Sequence, residues 1–578
     1  MPTARSSSSP PPRAVAVTVC AVAAAAVLGI VIAIVGGCGS SHPTGTTADP
    51  ARAVPASAPL YASADVHPQG EKRSATLAVG RSLTHQANPY TRLLSVLQTP
   101  GSQPPDYSRD VAPWLGNRAG IFLLSLSSSS RLLSSIQRAL LGQSSGAGAF
   151  PFGTAAPGGN QGAIVLDTHD AKKAATFLQS AAARAGAHAR SYRGVAYELS
   201  GGDVAFGMVR RFAVIGSDAG MRAVIDTTLG GASLASAPSY RSLLAVQPAK
   251  AVAHLYANAG RSGASGLGGL LALFSGGREA NISLVPSASS LAIYADTLSS
   301  SPASQQLSPF SSESSRALGE LPGESWFAIG LGDAGHMLAA DVQRLEGLAS
   351  LAGTQGPAAP AAGLSLSSIV EALTTPLKLL AAGTPEARRS FQSWMGSAGI
   401  FAAGTGLLEL KGAVVIDSKD AAASRAAIGK LGSQLRAKGV SVQPASLPGT
   451  DAAVSARLSG LPVALLIASG RGAGGQSKFV IGLGEPSVAA ALNPSSLLAN
   501  APSVSAAGAA LGEGAQPSLI LDVPTLLSLL EGIGLTEDPS ISGFVPYLRS
   551  LTSVAGGAHQ LVPAVERFKL VVGIRPSG

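Results

Sequence analysis

Gly142-Gln143-Ser144-Ser145-Gly146 has the Gly-x-Ser-x-Gly spacing with which serine hydrolases expose a nucleophile on a sharp strand-to-helix turn. Its surroundings are reversed, because Leu132, Leu133, Ile136, Leu140 and Leu141 mark a helical face before it and a Gly/Ala/Pro run to Gly162 follows. No nucleophile elbow is expected at Ser144. Gly470-Arg471-Gly472-Ala473-Gly474-Gly475 fits the dinucleotide-loop pattern, but it joins two apolar strand patterns, so no helix N-terminus would face a pyrophosphate, and a hairpin tip is expected. The eight histidines (His42, His67, His85, His169, His188, His254, His336, His559) include no pair at helix or hairpin ligand spacing. Asp167 and Asp417 are the best polar candidates, since each ends an apolar strand pattern; that position predicts a side chain closing the strand-to-helix turn by local hydrogen bonds. Trp114 and Trp394 are expected as core anchors. These patterns predict no catalytic residue, no cofactor-binding residue and no metal ligand.

One residue has chemistry written around it. Cys38 closes the run Val35-Gly36-Gly37-Cys38 after an uninterrupted apolar stretch from Ala14 to Val35, and the only charges before that stretch are Arg5 and Arg13. Basic leader, apolar segment, small residues and cysteine form a lipoprotein processing signal. The expectation is a signal peptide over 1–37, lipidation of Cys38 and a flexible tether over 38–58, with the body on the extracytoplasmic face of the cell membrane. Two or three acyl chains on the new terminus make a stable anchor where one would not. The alternative is a single uncleaved transmembrane helix, for which the apolar stretch is long enough.

The only other cysteine, Cys20, lies in the leader, so the body has no disulfide and no thiol nucleophile. With 46% apolar residues there is material for two domain cores. Removing Arg5 and Arg13 from the formal +9 leaves +7, a mild charge for this length. Basic residues gather between Lys172 and Arg222 without aromatic interleaving, which reads as a solvated face rather than a nucleic-acid site.

The elements that must position these residues are written twice. Gly162-Ala-Ile-Val-Leu-Asp-Thr-His-Asp-Ala171 returns as Gly412-Ala-Val-Val-Ile-Asp-Ser-Lys-Asp-Ala421, Trp114-Leu-Gly116 as Trp394-Met-Gly396, and Val214-Ile-Gly216 as Val480-Ile-Gly482. In each copy a buried strand leads to a helix capped by Asp170 or Asp420. Ala174, Phe177, Leu178, Ala181 and Ala185 make the first helix face, and three strands and a further helix follow. The pattern predicts an α+β fold of two tandem repeated domains, each a mostly antiparallel sheet with helices packed on it, over 59–300 and 321–578 with a linker at 301–320. The first copy carries an insert within Leu124 to Gln161; the second adds an apolar helix around Leu364 to Ala382.

The lipobox-type leader, the Asp-Val-Ala-Pro-Trp-Leu-Gly run at Asp110 to Gly116, the Asp167 strand with its helix and the Phe212 to Gly216 strand together resemble an uncharacterised family of envelope proteins from high-GC bacteria, DUF3352. The resemblance covers most of 55–300 and, more weakly, the second copy. It implies export and fold, and it brings no activity, substrate or catalytic residue. The expected role is a non-enzymatic envelope lipoprotein that binds or scaffolds at the cell surface. Its partners would be the membrane, through the anchor, and an apolar ligand or an envelope protein, with no nucleic acid. The alternatives are a carrier of a lipid or other apolar ligand, with Leu364 to Ala382 and Leu267 to Phe274 lining a groove, and an undetected hydrolase.

Overall fold

The computed structural model describes residues 48–84, 107–125, 161–258, 279–298, 312–335, 375–376, 379, 385–406, 409–458, 463–537 and 542–576. Cys38 with its leader, Ser144 with its Gly-x-Ser-x-Gly run, the stretch Leu267 to Phe274, nearly all of the first-copy insert and all but three residues of Leu364 to Ala382 lie outside these.

Among the described residues, twenty strands form the sheet: β1 (Leu60–Asp65), β2 (Leu115–Leu123), β3 (Gly162–Thr168), β4 (His188–Tyr192), β5 (Val195–Leu199), β6 (Val204–Val209), β7 (Phe212–Ser217), β8 (Ala253–Asn258), β9 (Glu279–Pro286), β10 (Ser290–Leu298), β11 (Ser325–Leu331), β12 (Met395–Ala403), β13 (Lys411–Ser418), β14 (Ser441–Ala445), β15 (Thr450–Arg457), β16 (Leu465–Arg471), β17 (Ser477–Leu483), β18 (Gln516–Asp522), β19 (Leu551–Val562) and β20 (Val565–Ile574). Every pairing among them is antiparallel. The pairings run in one line from β4 through β5, β6, β7, β3, β2, β1, β8 and β9 to β10, then across to β20 and on through β19, β18, β11, β12, β13, β17, β16 and β15 to β14. Read inward from either edge, the order of chain connections is the same. The two inner ends meet at β10 and β20, where Ser290 to Leu298 lies opposite Gly573 to Val565.

Among the described residues, eleven helices cover the two faces: α1 (Gly70–Thr84), α2 (Ala171–Arg184), α3 (Asp218–Thr228), α4 (Pro238–Ala245), α5 (Ser312–Gly319), α6 (Pro385–Trp394), α7 (Ala421–Ala437), α8 (Gly484–Leu492), α9 (Pro502–Leu511), α10 (Val523–Gly532) and α11 (Val545–Arg549). The period-two pattern of β20 separates the faces, since alternate residues point oppositely. On the front, Phe568, Leu570 and Val572 join the clusters that bury the apolar stripes of α1, α2, α10 and α11. The end of α6 and the apolar stripe of α7 pack on the same side, because Ile400 in their cluster lies directly opposite Ile329 in that of α10. On the back, Val565 and Val571 join the clusters under α3, α4, α5, α8 and α9. The result is an α+β fold on one mostly antiparallel sheet.

Local expectations fare differently. Asp170 caps α2 by accepting from Lys173 N at 3.1 Å, and Asp420 caps α7 by accepting from Ala422 N and Ala423 N. The Gly470 to Gly475 run is the tip of the β16–β17 hairpin, closed by Gly472 N–H to Gln476 O at 2.9 Å. Trp114 and Trp394 are 2% and 1% exposed and pack at a tilt against Phe177 and Phe479. Four strands, not three, follow α2: β4 is an edge strand of exposed side chains, so it lacks the apolar alternation by which strands are read. Residues 49–58, expected as the end of the tether, belong to the body, where Ala51, Ala53 and Val54 are fully buried beside Tyr61 and Phe122. Within the expected linker, α5 buries Ser314, Ala317 and Leu318 against the sheet.

Candidate functional sites

The strand-end aspartates were the polar residues singled out by position, and neither closes a turn locally. Asp167 ends β3 on the back face, 2% exposed, and its Oδ1 accepts from Arg211 Nη2 at 2.8 Å across the β6–β7 turn. The turn is tied down further by Thr168 Oγ1, which donates to Arg211 O at 2.6 Å. Burial pushes the Asp167 carboxyl above the usual range against the opposing pull of Arg211. Gly116 is needed beneath it, because a Cβ there would lie 2.7 Å from the Asp167 carboxyl carbon. An enclosed carboxylate already paired with a guanidinium has no open side for a substrate.

Asp417 ends β13 in a wider network. Ser397 Oγ donates to its Oδ2 at 2.6 Å, and Lys478 Nζ lies 3.5 Å from its Oδ1. The same ammonium, only 5% exposed, reaches Glu320 Oε2 at 2.8 Å, and Gln476 Nε2 donates to that oxygen at 3.2 Å. Arg316 on α5 donates to Glu320 Oε1 and Ser397 Oγ, both at 3.3 Å. Burial raises the Glu320 carboxyl, yet the hydrogen bond and charge of Lys478 bring it below its ordinary value. Two cations and two carboxylates thus balance. The Ser397 hydroxyl donates to a carboxylate already engaged by cations, and the Lys478 ammonium is directed at two carboxylates, so each group is occupied by another of the cluster. The arrangement fastens the C-terminal end of α5 to β12, β13 and β17.

A third constellation was missed. On the back of β1 and β8, His254 Nε2 meets Tyr240 Oη of α4 at 3.1 Å, and Tyr61 packs edge-on against both rings. Tyr256 continues the group, its hydroxyl bonded to Ser239 Oγ and Glu279 Oε1 at 3.2 and 3.3 Å. A signal existed, for Ala-His-Leu-Tyr-Ala-Asn in β8 alternates strictly and all of it but Asn258 is buried, so its polar set had to face other polar groups. Burial pushes the Tyr240 hydroxyl upward and lowers His254 to about 3. The ring is therefore neutral in the folded protein at neutral pH. Its folded value lies below the unfolded one of about 6.5, so the unfolded chain takes up the proton first and stability falls as pH drops from about 6.5 towards 3. The loss should reach the order of 4 kcal/mol, and His254→Gln should flatten the acid limb of a Tm-against-pH curve. An unchanged limb in that variant would assign acid sensitivity elsewhere.

At the centre of the sheet, Arg567 Nε and Nη2 donate to Asp296 Oδ1 and Oδ2 at 2.6 and 2.9 Å, and Nη2 also donates to Val246 O at the end of α4 at 2.7 Å. Lys569 Nζ, two residues on, donates to Leu511 O of α9 at 2.6 Å, and both cations flank the Tyr294 ring. Among the described residues no group of three or more His, Cys, Asp or Glu could hold a metal ion, and no helix is long and apolar enough to cross a membrane.

The charged sites therefore share one character, charge closed on itself at strand ends and seams. No curated protein and no solved structure matches the chain. The model of a family described as a protein of unknown function, DUF3352, matches residues 16–560, and the chain belongs to that family.

Proposed function

We propose that the protein is an envelope lipoprotein, lipidated at Cys38, that binds or scaffolds at the outer face of the cell membrane without catalysing a reaction. The observation that carries the non-catalytic part is the self-neutralisation of the ionisable clusters: Asp167 on Arg211, and Asp417 with Glu320 on Lys478 and Arg316. Catalytic groups need a free lone pair or proton directed at a reacting atom, and these groups spend theirs on one another. The extended sheet, with β10 bonded to β20 along nine residue pairs, suits a rigid platform.

The same reading holds that the body arose by tandem duplication. Support comes from the matching connection order on either side of β10 and β20 and from equivalent local bonds, since His169 N–H donates to Trp114 O and Lys419 N–H to Trp394 O.

The anchor has a direct test. Cys38→Ala should abolish incorporation of a fatty-acid probe and release the protein from membranes, and labelling that persists in the variant would overturn the lipoprotein reading. Purifying the chain from its native host and identifying co-purified lipids and crosslinked proteins by mass spectrometry then separates the binding roles. A bound lipid would favour the carrier reading; a turnover lost in Asp167→Asn would favour a hydrolase.

A further inference from the structure

The two faces of the sheet carry different charge. Five of the front-face helices, α1, α2, α7, α10 and α11, hold ten basic and two acidic residues. Both acids are ion-paired, Glu71 with Lys250 and Glu531 with Arg549. The back-face helices α3, α4, α5, α8 and α9 hold three basic and four acidic. The excess is concentrated in α2 and α7, whose helical spans contain no acidic residue beyond the N-caps Asp170 and Asp420. Lys172, Lys173 and Arg184 on α2, and Arg425, Lys430 and Arg436 on α7, are all exposed. These helices lie near the two ends of one continuous sheet, so their cations form a broad field rather than a pocket.

We propose that this front face docks on an anionic phospholipid surface. The inference rests on the lipid anchor at Cys38, and it adds an orientation to that reading: the helices α2 and α7 face the bilayer. Two observations select a membrane over a soluble polyanion. The cations sit on helices near both ends of the sheet and are not gathered along one groove, so no single track is laid for a thread. The described body begins at Ala48, ten residues after Cys38, and ten residues reach at most about 35 Å. That exceeds one helix layer of about 10–12 Å plus the sheet, so the anchor can round the edge from the back face, where Ala48 packs. Each lysine or arginine held near an anionic surface contributes about fivefold in binding, and the attraction fades with ionic strength.

The test reconstitutes the full chain on vesicles of phosphatidylcholine alone or with phosphatidylglycerol and maps arginine modification by a water-soluble reagent. Arg184 and Arg425 should be protected several-fold on the anionic vesicles, and exposed Arg241 on the back should be modified equally on both. Lys172→Gln/Lys173→Gln/Lys430→Gln, three exposed changes remote from the core, should weaken docking by about 100-fold and restore modification, as should high salt. Equal modification of Arg184 and Arg425 on both vesicles would overturn the proposal, as would protection that survives the triple substitution. Protection by soluble polyphosphate with none on anionic vesicles would replace the membrane by a polymer. Flotation with phosphatidylcholine alone reports the anchor separately, so an unanchored chain and an undocked face are told apart.

Discussion

Gly330→Val should unseat helix α5 and cost about 3 kcal/mol or more, one of the largest losses available from a single small-residue change. Gly330 lies in β11 under that helix, and an added Cβ would fall on the carbonyl oxygen of Ser314, 2.7 Å from Leu318 N and 2.8 Å from the Ser314 carbonyl carbon. Those atoms are helix backbone, which cannot rotate away as a side-chain tip can, so the helix must shift as a body. Its displacement would pull Arg316 and Glu320 out of the network that neutralises Lys478 and Asp417. A buried ammonium losing a carboxylate adds to the steric cost. Chemical denaturation would measure the loss, and hydrogen exchange over 312–319 should accelerate locally. Gly429→Ala is the counter-case: Gly429 is exposed within α7 with nothing within 4 Å of its added Cβ, so the substitution should stabilise by roughly 0.5–1 kcal/mol. Equal effects at the two glycines would mean that α5 does not rest on the sheet as closely as its geometry requires.

The need for Gly330 also explains what sequence could and could not convey. The apolar run Ala163 to Leu166, the caps Asp170 and Asp420 and the Trp114 and Trp394 anchors are local signals, and each was readable because strand burial, capping and aromatic packing leave a fixed residue pattern. Long-range pairing leaves none. Tyr61 lies between Phe122 and Tyr256, whereas Ala328 lies between Phe401 and Ile520 at the corresponding place in the strand order. The large tyrosines fill space beside the short turn at Pro50 to Arg52, and small Ala328 and Gly330 make room for α5. Volume was exchanged between strand and covering segment, so the aligned residues diverged while the architecture stayed alike. The partners of Asp167 and Asp417 were hidden for the same reason: Arg211 is 44 residues from Asp167, and Lys478, which Asp417 shares with Glu320, is 61 residues from Asp417. A rule that assigns a strand-end aspartate to its nearest turn cannot see either. Edge strand β4 was lost because all its side chains but that of Tyr192 are exposed, so it shows no alternation.

Separating Asp296 from Arg567 should be as damaging as the Gly330 change, through electrostatics rather than volume. Asp296 is fully enclosed and Arg567 nearly so, and their two parallel hydrogen bonds cross the β10–β20 line that joins the two halves of the sheet. The charges of the cluster close: Arg567 balances Asp296, while Lys569 and the bond from Arg567 to Val246 meet the partial negative ends of α9 and α4, each about half a charge. That closure leaves no excess with which to attract an anion, so the cluster reads as a lock and not as a ligand site. A lock of this kind contributes mainly by what its rupture exposes. Arg567→Met leaves a carboxylate in an apolar layer with no counter-charge, and Asp296→Leu leaves a guanidinium; either should cost about 3–5 kcal/mol. Removing both together should cost less than the sum, because the double variant buries no unpaired charge, and the difference in a double-mutant cycle should be a coupling of about 1 kcal/mol or more. Denaturant unfolding of the four proteins measures it. Additive losses would mean that the pair is bridged by water or relaxes apart, and the joint between the two halves would then rest on the β10–β20 backbone bonds and the apolar packing of Phe568 and Ala295 alone.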